Sequence, residues 1–599
     1  MKYRPEIDGL RAVAVIPVVL FHAGFDKFAG GFLGVDIFFV ISGYLITTLI
    51  VREISEGNFT LKDFYERRAR RILPALFLVM MSTAVAGYFV LMPDEYKNLG
   101  QSLVAATLFS NNILLGITSG YWDLASEFKP LLHTWSLGVE EQFYLVFPIL
   151  MLSLWRYIRT HVAWIILILA AISYITFYLL NITSPRWAFY ILPTRAWELL
   201  IGAIAAFIVL SDSKHAVGLC RSPLAAYFGV FAIAFAMVMC NTETNELGYY
   251  NVVATIGTML IIVSTVSHSY LREILSSRAL VFVGLISYSL YLWHQPVYSF
   301  VRAFSANRPD AVDYLMALAV ASLLSILTWK FVETPFRDRR RIRSRSFIFL
   351  ASISSILLII FGIILNKTYG LPERAFGTDI RAEDMDKRIY NERVYKFKKS
   401  EFKNQADKKI LVMGTSFARD FVNIIVETFD LYGVDIVYRD DLQECMRTRN
   451  NTLGRKLFSS ANVIVFAGGG YDANCLDEDL AYTKSNGKEI FYVGFKDFGY
   501  NLNWLLRQGP IGRANRYNKI SSELIAIDEE IARNIPTDKY ISMISPVILN
   551  EAMPITDEDG NMLSTDRAHL TKYGALFFGK NVVRKTEFAK DLEPLNSLD

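Results

Sequence analysis

The first 366 residues carry eleven apolar segments of membrane-spanning length, and ionisable side chains lie inside several of them. The segments are 11–26, 31–51, 72–92, 139–157, 162–181, 190–210, 224–241, 250–268, 279–302, 312–332 and 347–366. Each approaches the roughly 20 residues that a helix needs to cross a hydrocarbon core. With 53% hydrophobic residues over 599 positions, the chain is too apolar for a single soluble core. The expected architecture is a polytopic α-helical membrane domain of about eleven spans, followed by soluble sequence. The net charge of +4 and arginines clustered beside apolar spans point to topology rather than to nucleic acid.

A twelfth segment, 98–118, is interrupted by Ser110-Asn111-Asn112 and by glycine. Charge arbitrates its role. With the N-terminus inside and 98–118 re-entrant or interfacial, Lys2, Arg4, Arg11, Arg67–Arg71, Arg156, Arg159 and the Arg337–Arg345 cluster all fall on the cytoplasmic side, as the positive-inside rule requires. If 98–118 crossed, the largest arginine cluster would become external. Eleven spans then place residues 367–599 outside the cytoplasmic membrane. Lys2 and Arg4 before an apolar stretch imitate a signal peptide, but no small-x-small cleavage site follows, so the segment reads as an uncleaved first helix. Cys220 and Cys240 read as packing residues, whereas Cys445 and Cys475 in the external tail are able to pair. No metal-ligand spacing stands out.

Ionisable groups at membrane depth are costly and therefore point to function. His22 follows Arg11 by eleven residues, about 16 Å along a helix, and Asp36 opens the second span at a comparable depth. His133 with Glu140 and Glu141, and His294 in the ninth span, fall near the same level. Together they sketch a polar cavity opening outward.

The run Glu6-Ile7-Asp8-Gly9-Leu10-Arg11, the Arg11–His22 spacing, the doubled R-x-x-R of Arg67/Arg70 and Arg68/Arg71, and Glu333-Thr334-Pro335 closely resemble the membrane acyltransferase-3 family. The likeness runs from about residue 4 to 337. It implies acetyl-CoA as donor substrate, with no tightly bound cofactor. Arg11, Arg67, Arg68, Arg70 and Arg71 would meet its phosphates through charge-assisted bonds. His22 would act as general base or as acyl carrier, a choice the residues leave open. Asp36, His133, Glu140, His294 and Glu333 would support it. The Arg337–Arg345 cluster reads as topology alone.

The tail begins a second pattern. Lys409–Met413 is a buried-strand run leading into Gly414-Thr415-Ser416 and a helix, so the Ser416 hydroxyl would lie at a helix N-terminus. Val463–Ala467 runs into Gly468-Gly469-Gly470, and Asp566-Arg567-Ala568-His569 comes near the end. This order resembles the SGNH hydrolases, three-layer α/β domains. The resemblance implies Ser416 as nucleophile, His569 as its base and Asp566 as the group orienting the imidazole. Ser416, Gly468 and Asn474 would form the oxyanion site. Thr415 and Phe417 depart from the family's first block, where aspartate and often histidine flank the serine.

The expected organisation is a membrane domain over 1–337 with ten spans, a further helix and charged linker over 338–408, and a periplasmic SGNH-like domain over 409–599. The two resemblances together imply a bacterial inner-membrane O-acetyltransferase. It would move acetyl from cytoplasmic acetyl-CoA past His22, through an acyl-Ser416 stage, to a nascent or undecaprenyl-linked envelope polysaccharide, lipopolysaccharide O-antigen foremost. Three alternatives stay open: a tail that only sets specificity, a tail acting as an esterase, and a transporter using the buried charges as a substrate path.

Overall fold

Each of the eleven apolar segments carries a helix in the computed structural model, which describes residues 3–118, 126–240, 247–267, 269–376, 384, 387–442, 451–468, 475–508 and 510–592. The chain forms two compact units, one of residues 1–88, 97–302 and 309–367, the other of 89–96, 303–308 and 368–599.

The first unit is helical. Among its described residues, six helices are long and apolar enough to cross a membrane, and a seventh joins them if Lys214–Cys220 and Pro223–Met239, bent by 61°, form one span. The first helix, Pro5–His22, is diluted by Glu6, Asp8 and Arg11, and Arg278–Phe304 by a run of buried polar residues. The interrupted 98–118 segment is two helices, Pro93–Thr107 and Asn111–Thr118, broken at Phe109, whose φ of 51° lies in the left-handed region.

Packing inside this unit relies on small residues, as expected where lipid is as apolar as leucine. Gly43 of helix Gly34–Ser55 and Gly202 of helix Leu192–Val209 let the two backbones touch. A Cβ on Gly43 would lie 1.9 Å from the Leu199 carbonyl oxygen, and one on Gly202 would lie 2.1 Å from that of Val40. The outer faces keep Trp164, Ile168, Ile172, Phe231, Leu323, Leu357 and Ile360 exposed, a belt that suits hydrocarbon and marks a membrane protein.

The second unit holds a five-stranded parallel sheet in the order β2-β1-β3-β4-β6, with β1 Lys408–Met413, β2 Val434–Arg439, β3 Val463–Ala467, β4 Glu489–Val493 and β6 Tyr540–Ile541. Two short strands, β5 Tyr517–Lys519 and β7 Ala552–Pro554, pair antiparallel beside it. Alternation along β1 explains the layers. Ile410 and Val412 enter a core with helices Ser416–Thr428 and Lys572–Asn581, whereas Leu411 and Met413 enter a second core with Leu457, Phe458 and Ile531. Both faces of the sheet are therefore covered by helices, which parallel strands require.

The charged stretch before β1 contributes to the first of these cores. Tyr390 and Val394 are buried there, because the two apolar side chains stand on the short helical segments Lys387–Glu392 and Arg393–Phe397. Asn501 and Asn503 bind the other parts of this unit: Asn501 donates to the Ala303 and Ser305 carbonyls, and Asn503 accepts the Met92 N–H. Cys475 is a disulfide cysteine, while Cys220 and Cys240 are free thiols; Cys445 lies outside the described residues.

Candidate functional site

In the membrane unit, three histidines from three separate chain segments meet. The His22 and His294 rings lie 5.1 Å apart and those of His133 and His294 5.3 Å apart, centroid to centroid. Tyr291 closes the group, with its ring 5.2 Å from His133 and 5.4 Å from His294.

Local bonding explains each placement. His22 ends its helix, and its Nδ1 donates to the Val18 carbonyl at 2.9 Å. Arg302 caps that helix by donating to the His22 carbonyl, and it also donates to Tyr314 Oη at 2.8 Å. His133 precedes the helix Thr134–Ile158 in a segment whose carbonyls are claimed one after another. Ser299 donates to Phe128 at 2.7 Å, Gln295 to Lys129 at 3.1 Å, Asn111 to Leu131 at 3.0 Å and Tyr291 Oη to His133 at 2.7 Å. Pro296 deprives the Leu292 carbonyl of its helical donor.

A cavity that holds three of the arginines shares one wall residue, Tyr291, with this cluster. It is lined by Arg11, Arg68 and Arg71, by Ser42, Glu140 and Tyr144, and by Ser136 and Tyr291. The Ser136 Oγ and Tyr291 Oη lie within hydrogen-bond distance, and the Tyr291 ring that lines the cavity also packs against His133 and His294. Arg68 lies 3.4 Å from Glu141 and 3.9 Å from Glu140, with its guanidinium 4.0 Å from the Tyr144 ring centroid. Arg11 pairs with Asp8 at 3.2 Å, and Arg71 makes no ion pair among the described residues. The two remaining arginines of the cluster face elsewhere. Arg67 pairs with Glu53 at 2.8 Å, and buried Arg70 binds Glu66 and the Phe336 and Ile342 carbonyls.

Glu333 is fully buried in a one-turn π-helical bulge, where it accepts from Ser289 and pairs with Arg337. Asp36 belongs to another centre. It pairs with Arg195 at 3.1 Å, and Arg195 also meets Glu198 at 3.2 Å, all three buried. Two carboxylates thus share one guanidinium. Arg195→Met would leave both acids without a cation, and is expected to destabilise the membrane unit by about 3–5 kcal/mol. Asp36→Asn, which leaves the Arg195–Glu198 pair whole, is expected to cost much less. Thermal unfolding in detergent compares the two, and equal losses would sink the shared-cation account.

Neither Arg195 with Glu198 nor Tyr291 with Arg302 was among the residues picked from the sequence. Tyr291, Gln295, Tyr298, Ser299 and Arg302 recur at helical spacing on an otherwise apolar helix, a polar stripe that points inward. Arg195 and Glu198 carry the same intramembrane-charge signal as Asp36.

The second unit builds its site at the carboxyl end of the parallel sheet, where strand order switches between β1 and β3 and open α/β sheets place their ligands. The β1 strand ends at Gly414, whose φ of +130° suits only glycine and whose Cβ would meet the Ala467 carbonyl oxygen at 2.2 Å. The chain then turns into the helix that Ser416 begins. Pairing of Met413 with Phe466 brings Gly468 out of the sheet beside this turn. Asn474 lies outside the described residues.

His569 Nδ1 donates to Asp566 Oδ2 at 2.7 Å, and the Ala568 and His569 N–H groups both donate to Asp566 Oδ1 at 2.7 Å. Asp566 is thereby fixed as an acceptor from both sides. The His569 loop is tied to the Ser416 helix through Asp420, which accepts the Leu570 N–H at 3.3 Å and pairs with buried Lys496 at 2.7 Å. Asn391 donates both to the Ser416 carbonyl at 3.0 Å and to Asp420 at 2.6 Å. Burial raises the nearby Asp497 carboxyl above its ordinary range, against the N–H of Gly499 and the charge of Arg567. Among the described residues, no group of three His, Cys, Asp or Glu side chains is placed to hold a metal ion.

Similarity to known proteins bears on the first site. The chain is 34% identical over 361 residues to a Staphylococcus aureus (strain MSSA476) protein named provisionally as an O-acetyltransferase, covering 56% of this chain and 58% of that one. It is 32% identical over 354 residues to the peptidoglycan O-acetyltransferase OatA of Listeria monocytogenes, covering 56% of each chain. The chain thus spans a little over half the length of the curated relatives it matches. Residues 4–330, which include the three histidines and the three cavity arginines, match the acyltransferase domain family. The chain belongs to that family.

Proposed function

We propose that this protein is an O-acetyltransferase of the bacterial cell envelope, taking acetyl from acetyl-CoA in its membrane unit and delivering it to a polysaccharide hydroxyl. One observation carries the reading: the cavity lined by Arg11, Arg68 and Arg71 is also lined by Tyr291, whose ring packs against His133 and His294 of His22's cluster. Coenzyme A is an anionic nucleotide on a thin pantetheine arm. The arginines suit its phosphates, and Arg71 in particular makes no ion pair among the described residues. The arm would bring the thioester to the imidazoles. Because the Val18 carbonyl only accepts, neutral His22 keeps its proton on Nδ1 and presents the Nε2 lone pair, as either base or nucleophile requires.

The second unit supports the later stage. Ser416 at a helix start, with an Asp566-oriented His569 on a loop tied to the same helix, suits an SGNH-like acyl-enzyme. The acyl group would pass to a sugar hydroxyl where an esterase would use water. The topology reasoned from charge, with eleven spans in the inner membrane, a cytoplasmic N-terminus and a periplasmic C-terminal unit, belongs to the same proposal. The acceptor is a nascent or undecaprenyl-linked envelope glycan. Lipopolysaccharide O-antigen and, by the relatives' printed names, peptidoglycan are its two candidate classes.

Membrane vesicles of both orientations, given acetyl-CoA labelled on the acetyl group, test the reading. Label is expected on glycan only when the donor meets the cytoplasmic face. Labelling from the opposite face alone, or none from either, would defeat it; the position of label in O-antigen or peptidoglycan fractions identifies the acceptor.

A further inference from the structure

His22 and His294, with rings 5.1 Å apart, are held to the backbone through the same nitrogen. The Nδ1 of His294 lies 3.2 Å from the Leu290 carbonyl, as that of His22 lies 2.9 Å from Val18, so each neutral ring holds its proton on Nδ1 and its lone pair on Nε2. His294 is fully buried, and its Nε2 has no hydrogen-bond partner among the described residues. The same is true of both nitrogens of His133, which is 1% exposed. Buried polar atoms are ordinarily satisfied, and three unsatisfied nitrogens in one cluster point to a ligand or a moving proton.

A single imidazole cannot complete the reaction if it carries the acetyl group. Once Nε2 is acylated and Nδ1 is bound to Val18, His22 has no lone pair left to take the proton of the attacking hydroxyl. We infer that His294 is the general base of the second half-reaction, with His133 next in line for the proton. The inference rests on the acetyl-transfer reading above and assigns His22 the carrier role within it.

The steps balance. His22 Nε2 attacks the thioester carbonyl, the C–N bond forms, the C–S bond breaks, and the thiolate takes its proton from the aqueous phase into which it leaves. The accepting hydroxyl then attacks the acyl-imidazolium carbon. As the C–O bond forms, the C–N bond breaks and returns neutral His22, while the hydroxyl proton passes to His294 Nε2. His133, 5.3 Å away ring to ring, can relay it onward. The accepting hydroxyl is a sugar's or the Ser416 side chain's, which share this chemistry.

Two assays on membranes bearing the full chain separate the halves. Isotope exchange between labelled coenzyme A and acetyl-CoA reads acylation of His22, and acetyl label on glycan reads the complete reaction. His294→Gln is expected to keep exchange within about threefold of wild type and to lose transfer by about 10²–10⁴-fold, the usual weight of a general base. Preserved exchange also certifies that the variant folds. His294→Gln with normal transfer would overturn the assignment, as would loss of exchange in step with transfer at normal protein level. Wild-type transfer without exchange would overturn the carrier role, and with it this inference, while leaving the acetyltransferase reading intact. Absence of wild-type transfer would instead defeat the parent reading. In Ser416→Ala, label that accumulates on the membrane unit but not on glycan identifies Ser416 as the accepting hydroxyl, and normal glycan labelling identifies the sugar.

Discussion

Replacing His22 by alanine is expected to lower acetyl transfer by at least about 10²-fold at unchanged protein level, the smallest usual loss for a general base, and by more where the imidazole carries the acetyl group. The geometry makes the expectation specific. Arg302 binds the His22 backbone carbonyl rather than the ring, so the substitution removes the imidazole while sparing the cap that holds the helix end. His22→Gln is the companion variant, because its amide can replace the donated bond to Val18 without supplying a basic nitrogen. Labelled-acetyl transfer in membranes, with the protein quantified by immunoblot, is the measurement. Substantial activity in either variant would remove His22 from the chemistry and reopen the reading of the buried charges as a transport path.

Ser416→Ala should also abolish O-acetylation of the glycan, by about 10³-fold or more if an acyl-serine lies on the route. Asp566→Asn should approach that loss, of the order of 10⁴-fold, because an asparagine in place of the acceptor favours the wrong imidazole tautomer. Neither change touches the bonds from Asn391 and Leu570 that hold the serine helix and the histidine loop together. Surface acetylation and its position on the sugar, measured by mass spectrometry, separate the alternatives. Loss of all acetylation supports the relay. Retained acetylation at the wrong hydroxyl makes the second unit a specificity module, and increased acetylation makes it an esterase.

The arginine cluster shows how far one-dimensional reasoning reaches. The R-x-x-R pattern occurs twice in Arg67–Arg71, and spacing alone cannot prefer either copy. Successive residues turn about 100° around a helix, which puts Arg71 between Arg67 and Arg68 and all four arginines on one broad arc, so helix geometry does not choose between the copies either. Only the packing of the neighbouring helices brings Arg68 and Arg71 to the cavity and seats Arg70 against the Phe336 and Ile342 carbonyls. Asp36 gives the same lesson. Its depth matched that of His22, but its partner is Arg195, 159 residues along the chain.

Hydrophobic periodicity and buried charge are local properties, and they mark the apolar segments, the change to an α/β unit, and one group of ionisable residues at membrane depth, in which His22, His133 and His294 stand undivided from Asp36, Glu140 and Glu141. Ser416, Asp566 and His569 stand out through a resemblance carried by short-range patterns, a strand-to-helix turn and an Asp-x-x-His step. What the tertiary structure alone decided is which side chains face one another. Hydrogen bonds from Gln295, Ser299 and Asn111 bring His133 to His294, Arg195 takes Asp36 into a separate ionic centre, and Asn391 from a charged stretch braces the serine helix. Such contacts depend on helix rotation and on the approach of distant backbones, which Gly43 and Gly202 permit, and neither is encoded within the span of a single motif.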